Sequence, residues 1–469
     1  MKVKIQVIIE NDDGRVQDVE EVACLKRGIL TPEELGLNLA EAKELLQGVQ
    51  RSMTAHQVSD YTAERINCPC CGLKRSQKGH HQIVLRTVFG KLTLNSLRLH
   101  HCACQPTAGK TFSPLAELLP ERTAPELLYL EAKWCALLSF GMTLDLLQEV
   151  LPMGTELNVP TLRNNLHKVA ERMEAELGDE RQHFVESDPK AEPMSSLPEP
   201  KPPLAVGLDG AYVHAARREP RKEGWFEVIV GKSINAASEG KYVAFVHNYD
   251  EKPKRRLYEL LKSQGLDAGQ AVSFFSDGEV TMHRLQVYLS PQSEHILDWF
   301  HVTMKLTVMN QMRKGMAGAE PTAWLSEVEQ DLESLKWHLW NGNVDPALRL
   351  VDGLKTMLGG DGISSERQKL LRTICEFGNY IAANQAFIPD YGDRHRNGER
   401  ISTAFAESAV NQLVSRRMVK QQQMHWTERG AHLLLQVRAQ VMNGDLRKVF
   451  GRWYPGMQAR SEEPVRLVA

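Results

Sequence analysis

Two stretches of the chain alternate between apolar and polar residues, a period typical of half-buried β-strands. The first stretch opens the chain, with Val3, Ile5, Val7 and Ile9. The second runs from residue 83 to residue 99 and is interrupted at Gly90, which predicts a β-hairpin with a glycine turn. Between them, Thr31 followed by Pro32 and two glutamates predicts the start of a helix, because proline suits the first helical position.

A helical period follows over residues 116–182. In the helix predicted from about Thr161 to Leu177, the apolar residues fall on one face. With the preceding short helix it resembles a helix-turn-helix, in which the second helix would contact DNA. The candidate DNA-binding residues on that helix are Arg163, His167, Lys168 and Arg172. A plain helical hairpin remains the alternative.

Beyond a proline-rich linker at 186–203, the period changes to that of buried strands. Three consecutive strands are predicted near 204–208, 225–230 and 242–247. A basic helix and two further strands, near 272–275 and 294–297, come next. This order is the one expected of an RNase H-like sheet. Residues 302–399 are predicted to form a helical insertion, with Trp337 and Trp340 in its core.

Composition narrows the class of protein only slightly. The chain has 469 residues, 42% hydrophobic and 25% charged, with a net charge of -2, which describes a soluble protein of about three domains. Near neutrality excludes a uniformly basic nucleic-acid coat, but the charge is uneven: residues 1–60 carry -4 and residues 61–115 carry +7. Because no signal peptide or membrane span is evident, we expect a cytoplasmic protein.

Five of the eight cysteines fall between residues 68 and 104, which favours a metal site over a disulfide framework. Tetrahedral zinc uses four soft ligands, usually two from each of two turns. The predicted ligands are Cys68, Cys71, Cys102 and Cys104. Cys70, His100 and His101 remain alternatives, because the second pair is C-x-C rather than C-x2-C.

Three acidic residues could bind catalytic metal. Asp209 and Asp277 are each predicted to end a strand and are followed by glycine. Glu407 lies on the apolar face of a predicted helix, where a solvated glutamate would be unusual. Carboxylates converging at one edge of a sheet can hold two Mg²⁺ ions that act on a phosphodiester. An ordinary Asp-Gly turn is the alternative at either aspartate.

Together these residues resemble the DDE transposases of bacterial insertion sequences, with the closest resemblance to the ISKra-type group, relatives of the Mutator-like superfamily. The resemblance is carried by Asp209, Asp277, the Asp298-Trp299-Phe300-His301 box, Glu407-Ser408, Asn411, Arg417-Met418, Trp426 and Gly430-Ala431. It implies an RNase H-like catalytic domain with a helical insertion between the second aspartate and the glutamate. Glu407 lies 130 positions after Asp277, a spacing that can hold such an insertion.

The family's Asp/Cys-x-x-His box maps onto Asp298 and His301. His301 could contact the scissile phosphate or orient water, and a structural imidazole is the equal alternative. Arg416, Arg417 and Lys420 follow the glutamate helix, where they could hold the DNA backbone or form a solvated face.

These predictions give a multidomain α+β and α/β chain. Its expected parts are an α/β segment (1–60), a zinc-binding basic hairpin (61–115), a helix-turn-helix-like region (116–185), a linker (186–203), an RNase H-like core (204–301), a helical insertion (302–399) and the glutamate helix with the C-terminal region (400–469). The expected function is a DNA transposase that uses two Mg²⁺ ions and one structural zinc. Its expected partners are double-stranded DNA, as terminal inverted repeats and target, and a second copy of the chain. A nuclease or resolvase without strand transfer and a domesticated DNA-binding regulator are the competing functions.

Overall fold

The computed structural model is a mixed α+β protein with two compact units, residues 1–169 with 446–462 and residues 170–445 with 463–469. The structure describes residues 1–104, 110–154, 157–180, 204–216, 224–235, 240–266, 270–278, 293–318, 320–360, 363–419 and 424–457. The predicted linker at 186–203 lies outside these ranges. Every helix in the described ranges is too short or too polar to cross a bilayer.

The first unit opens with strands β1 (Lys2–Glu10) and β2 (Val16–Lys26), which pair antiparallel. The helix predicted at Thr31 is wrong in position: Pro32–Glu34 forms only a 3-10 turn. Helix α1 (Leu39–Ile66) begins seven residues after Pro32, where Asn38 accepts a hydrogen bond from the Glu41 amide and the Glu41 carboxylate accepts one from the Asn38 amide. This reciprocal capping satisfies two amides that the helix cannot.

The predicted hairpin is confirmed. Strands β3 (Gln77–Thr87) and β4 (Gly90–His100) pair antiparallel around a two-residue turn, and β5 (Thr111–Phe112) extends the sheet beside β4. Its apolar side packs against the short helix α2 (Pro114–Leu118) through Leu115. Hydrophobic burial between sheet and helix therefore holds one end of the hairpin, and the cysteine cluster lies at the other.

Helices α3 (Pro125–Leu137), α4 (Phe140–Val150) and α5 (Val159–Leu177) follow. The apolar face of α5 is buried as its period predicted, at Leu162, Leu166 and Val169. The connection between α4 and α5 spans residues 151–158, which is longer than the three or four residues typical of a helix-turn-helix. Helix α14 (Leu446–Trp453) returns to this unit, where Phe450 packs edge-on against Tyr129.

The second unit is built on a five-stranded sheet, and all five predicted strands are confirmed. They are β6 (Leu204–His214), β7 (Trp225–Ile234), β8 (Gly240–Val246), β9 (Val272–Ser276) and β10 (Glu294–Leu297). The spatial order is β10-β9-β6-β7-β8. Strands β6, β7 and β8 are antiparallel neighbours, whereas β9 and β10 run parallel to β6. Helix α6 (Pro253–Ser263) covers one face.

Helices cover the other face of the sheet. The helical stretch predicted at 302–399 contains α7 (Trp299–Gly315), α8 (Thr322–Trp340), α9 (Val344–Leu358), α10 (Ser365–Ala383) and α11 (Tyr391–Arg396), and their core continues into β9 and β10. Trp340 packs against this core as expected, but Trp337 does not, since 53% of its surface is exposed. The chain continues through α12 (Ala404–Val410), a π-helix (Asn411–Val419) and α13 (Glu428–Met442).

Candidate functional site

Three aspartates occupy equivalent positions along three neighbouring parallel strands: Asp209 lies in β6, and Asp277 and Asp298 directly follow β9 and β10. The last paired positions of β6 and β9 are Gly207 and Phe275, so Asp209 and Asp277 each follow by two residues. Ser276 of β9 pairs with Leu297 of β10, so Asp277 and Asp298 each follow by one. Because neighbouring strands lie about 4.8 Å apart, this register gathers the three carboxylates at one edge of the sheet.

The prediction that Asp209 ends its strand is wrong. Strand β6 continues to His214 because β7 remains paired with it, with Asp209 opposite Val230. Burial raises the pKa of Asp209, and the negative charges of Asp277 and Asp298 raise it further, whereas the His301 ring and the Gly210 amide oppose this shift. The carboxylates therefore repel one another, and a cation bound among them would relieve that repulsion.

Asp298 fastens two helices to this edge of the sheet and is fully buried. One carboxylate oxygen accepts hydrogen bonds from the Phe300 amide at the start of α7 and from the Thr403 amide just before α12, both at 3.0 Å. The other oxygen accepts a hydrogen bond from the Thr403 hydroxyl. This tethering role is not predicted from the sequence, because the helical stretch is expected only from residue 302, whereas α7 begins at Trp299, directly after Asp298.

His301 lies in the first turn of α7, with Nε2 3.7 Å from the second Asp298 oxygen and its side chain 22% exposed. The structure therefore places this imidazole beside the predicted aspartates and still accessible from solvent. It is close enough to Asp209 for its charge to affect the pKa of that carboxyl.

Gly207 allows α12 to lie directly on β6. A Cβ atom at position 207 would stand 2.7 Å from the Ala406 Cβ atom, closer than real side chains approach. Glu407 is the next residue on α12, so its backbone lies beside the strand that carries Asp209. The Glu407 side chain is outside the described part of the structure. Glu279, two residues after Asp277, is the alternative third acid in the sequence, and it also lies outside the described residues.

The four predicted zinc ligands lie together at the open end of the β3–β4 sheet. The Sγ atoms of Cys68 and Cys104 are 3.4 Å apart, as are those of Cys71 and Cys102, and Cys104 is 3.5 Å from Cys71. Four sulfurs around zinc, at Zn–S distances of about 2.3 Å, stand about 3.8 Å apart. The donor set and its spacing therefore fit zinc.

The local backbone favours the thiolate form of one of these cysteines, Cys68. The amides of Cys71 and Cys70 donate to the Cys68 sulfur and lower the pKa of Cys68 to about 6. A metal binds the thiolate form, so this shift favours binding at neutral pH. The alternatives Cys70, His100 and His101 are not among the four clustered side chains, and the His101 ring instead stacks on Phe112.

The residues of α5 that are predicted to bind DNA differ in solvent exposure and in their neighbours. Arg163 and Lys168 are exposed, and His167 is half-buried. Arg172 lies 4.0 Å from Glu176 one turn later. Exposed basic side chains are therefore present in the first three turns of α5, but Arg163 and Lys168 are five residues apart and lie on different faces of the helix.

The basic residues that follow the glutamate helix, predicted to contact DNA, differ in their exposure to solvent. Arg416 is partly exposed in the π-helix, and Lys420 lies outside the described residues. Arg417 is fully buried, with its guanidinium carbon 5.3 Å from the centre of the Trp426 ring. A side chain buried in this way does not face a DNA backbone, so that prediction is wrong for Arg417.

A second group of potential metal ligands lies elsewhere in the second unit, where donor atoms of Glu174, Asp250 and His432 fall within 4.8 Å of one another. The Arg256 guanidinium already contacts this group, donating to Glu174 at 2.9 Å and to Asp250 at 2.8 Å. Although burial opposes the shift, hydrogen bonds from His432 and Arg256 lower the pKa of Glu174 to about 2. We interpret this group as a buried ion cluster in which arginine supplies the cation.

Comparisons with known proteins add little. No family model matches the chain, and no curated protein matches it. Among solved structures, the Drosophila P element transposase strand transfer complex is similar over 67% of this chain and 92% of that chain, at 8% sequence identity and a TM-score of 0.28. A similarity this low does not define a shared fold.

Proposed function

We propose that this protein is a DNA transposase that binds the terminal inverted repeats of its element and performs Mg²⁺-dependent cleavage and strand transfer. The observation that carries the proposal is the level register of Asp209 and Asp277 on neighbouring strands, with the backbone of α12 packed beside them. Acidic residues collected at a sheet edge against their mutual repulsion are expected where a cation is bound.

The architecture of the second unit supports this proposal. Three antiparallel strands followed by two strands parallel to the first is the arrangement expected of an RNase H-like domain. The helices between Asp277 and Glu407 correspond to the insertion that the resemblance to ISKra-type DDE transposases implies. The carboxylates of Asp209 and Asp277 and the predicted third ligand Glu407 supply the oxygen donors that Mg²⁺ prefers.

The protein's own residues would position the reaction. When bound, two Mg²⁺ ions would supply charge stabilisation at the attacking and leaving oxygens of the phosphodiester. Asp298 holds α7 and α12 at the sheet edge, and so fixes His301 and the α12 backbone relative to the aspartates. His301, partly exposed beside them, would contact the scissile phosphate. Little covalent chemistry is required of the protein, so positioning carries most of the rate.

The first unit would bind the inverted repeats. Its hairpin region, residues 61–115, carries +7 before any bound metal is counted, and the four cysteines fit a structural zinc. Arg163 and Lys168 on α5 would add phosphate contacts. Two DNA ends must be joined in transposition, so we propose that the protein acts as a homodimer on DNA.

The test is a strand-transfer assay with the purified full chain, Mg²⁺ and DNA that flanks its gene. We expect cleavage at an inverted repeat and joining of the freed 3′ end to target DNA. Asp277→Asn should abolish both reactions and leave repeat binding intact. Asp352→Asn, which alters an exposed aspartate of α9 outside the site, should still cleave and join.

The competing functions give different results. Cleavage without joining would identify a nuclease or resolvase and refute strand transfer. Repeat binding with no cleavage by the wild-type chain would identify a DNA-binding regulator.

A further inference from the structure

The hydroxyl of Tyr380, on α10, is buried and has no hydrogen-bond partner among the described residues. A buried hydroxyl without a partner destabilises the folded state, and native proteins contain few such groups. A polar group left unsatisfied at the edge of a proposed active site is therefore a candidate for a role in the ligand-bound state.

The C-terminal end of α10 packs against the turn that follows β9 and contains Asp277 and Gly278. Asn384, one turn after Tyr380, donates its side-chain amide to the Tyr380 carbonyl at 2.9 Å. Its amide group also packs so closely against Gly278 that any side chain at position 278 would collide with it. Gly278 has a φ of 89°, which non-glycine residues rarely adopt. Tyr380 and Asn384 share a helix face, so the Tyr380 side chain lies near the same corner.

Electrostatics agree with this placement. Burial raises the pKa of Tyr380, and the charges of Asp277 and Asp298 raise it further. The Lys305 amine of α7 lies 4.8 Å from the centre of the Tyr380 ring, so this ring faces α7.

The two nearby carboxylates differ in what they do. Asp298 is a structural tether that accepts three hydrogen bonds, from Phe300 and Thr403, whereas Asp277 is the one that the proposed function assigns to the metal. We infer that Tyr380 is a positioning residue for the Asp277 carboxylate, donating to one of its oxygens when that carboxylate binds a divalent cation. This inference rests on the proposed function. Groups that hydrogen-bond a metal ligand orient it and commonly affect metal affinity by 10–100-fold.

The test is Mn²⁺ binding to the full chain, measured by calorimetry in wild type and Tyr380→Phe. We expect binding about 10–100-fold weaker in the variant. Without metal, its unfolding temperature should be unchanged or higher, because the substitution removes an unsatisfied hydroxyl. Tyr391→Phe is the matched control, since the Tyr391 hydroxyl donates to the Leu297 carbonyl at 2.7 Å. That variant should unfold at a lower temperature and keep its Mn²⁺ affinity.

The outcomes separate this inference from the proposed function. If the wild type binds Mn²⁺ and cleaves DNA but Tyr380→Phe binds equally well, the role of Tyr380 is refuted and the proposed function stands. If the wild type neither binds Mn²⁺ nor cleaves, both are refuted. Weaker binding in Tyr380→Phe together with a fall in its unfolding temperature would indicate a packing defect and also overturn the inference.

Discussion

Glu131 should make the packing of α3 against α5 depend on pH. Its side chain is fully buried, and Asn165 on α5 donates to one carboxylate oxygen at 2.7 Å. The other oxygen has no hydrogen-bond partner among the described residues. Burial raises the pKa of Glu131 to about 7, although Asn165 and the positive charge of Arg86 lower it.

The sign and size of the effect follow from linkage. The folded-state pKa of about 7 lies above the ordinary value of 4.5, so the folded state holds the proton more tightly. The stability from this group is fully present below about pH 4.5 and is lost as pH rises through about 7. Between pH 5 and pH 8 the loss amounts to about 2.5 kcal/mol, or roughly 70-fold in the opening equilibrium.

Glu131→Gln removes the titration and keeps an oxygen that can accept from Asn165. Hydrogen exchange of the α3 and α5 amides, followed by mass spectrometry, compares wild type and variant at the same pH. The two should be similar at pH 5, and the variant should be better protected at pH 8. Glu126→Gln is the control, because this partly exposed residue of α3 pairs with Arg447 at the surface. A ratio of wild-type to Glu131→Gln protection that stays constant from pH 5 to pH 8 would refute the reasoning.

Three further perturbations test other parts of the structure. Cys71→Ser should lower the zinc content, measured by atomic absorption, from about one ion per chain to near zero, whereas Cys70→Ser should retain the zinc. Zinc retained in Cys71→Ser would contradict the ligand assignment. Arg256→Met leaves the Glu174 and Asp250 carboxylates without their cation and should lower the free energy of unfolding, measured in urea, by about 3–5 kcal/mol. A decrease below about 1 kcal/mol would show that these charges remain solvated. Gly207→Ala should displace α12 and abolish DNA cleavage. Gly210→Ala should cleave normally, because the added methyl group meets only the flexible end of a glutamate side chain. Equal cleavage by the two variants would mean that the contact between β6 and α12 is not required.

Local sequence signals predict much of the secondary structure, but where two helix-start signals lie close together they do not show which one begins the helix. Thr31-Pro32 satisfies a rule for a helix start, yet it opens only a short turn, and the helix begins after Asn38. Both signals lie within eight residues, and only the packing of the rest of the unit decides between them. The hairpin around Gly90 was easier to predict, because the alternating period and the turn residue agree.

Contacts between distant residues explain what the sequence could not predict. Asp209 is expected at a strand end because the apolar run 204–208 stops at Asp209-Gly210. The parallel pairing of β6 with β9 does stop just before it, at Gly207, but continued pairing with β7 extends the strand to His214. The tethering role of Asp298 and the role that we infer for Tyr380 depend on residues about one hundred positions away in the chain. Trp337 and Trp340 share a helical spacing, and only the position of the neighbouring helices shows which of them is buried.

The level register of the three aspartates makes the gene unusually sensitive to small insertions at one place. One extra codon within the β9 segment, Val272–Ser276, would shift the pairing by one residue and turn Asp277 to the opposite face of the sheet. An extra codon at the exposed turn before α6, near Glu251, would leave the register unchanged. A copy of the gene could therefore become inactive while every acidic residue and every cysteine is still encoded, and a search for intact motifs alone would count it as active.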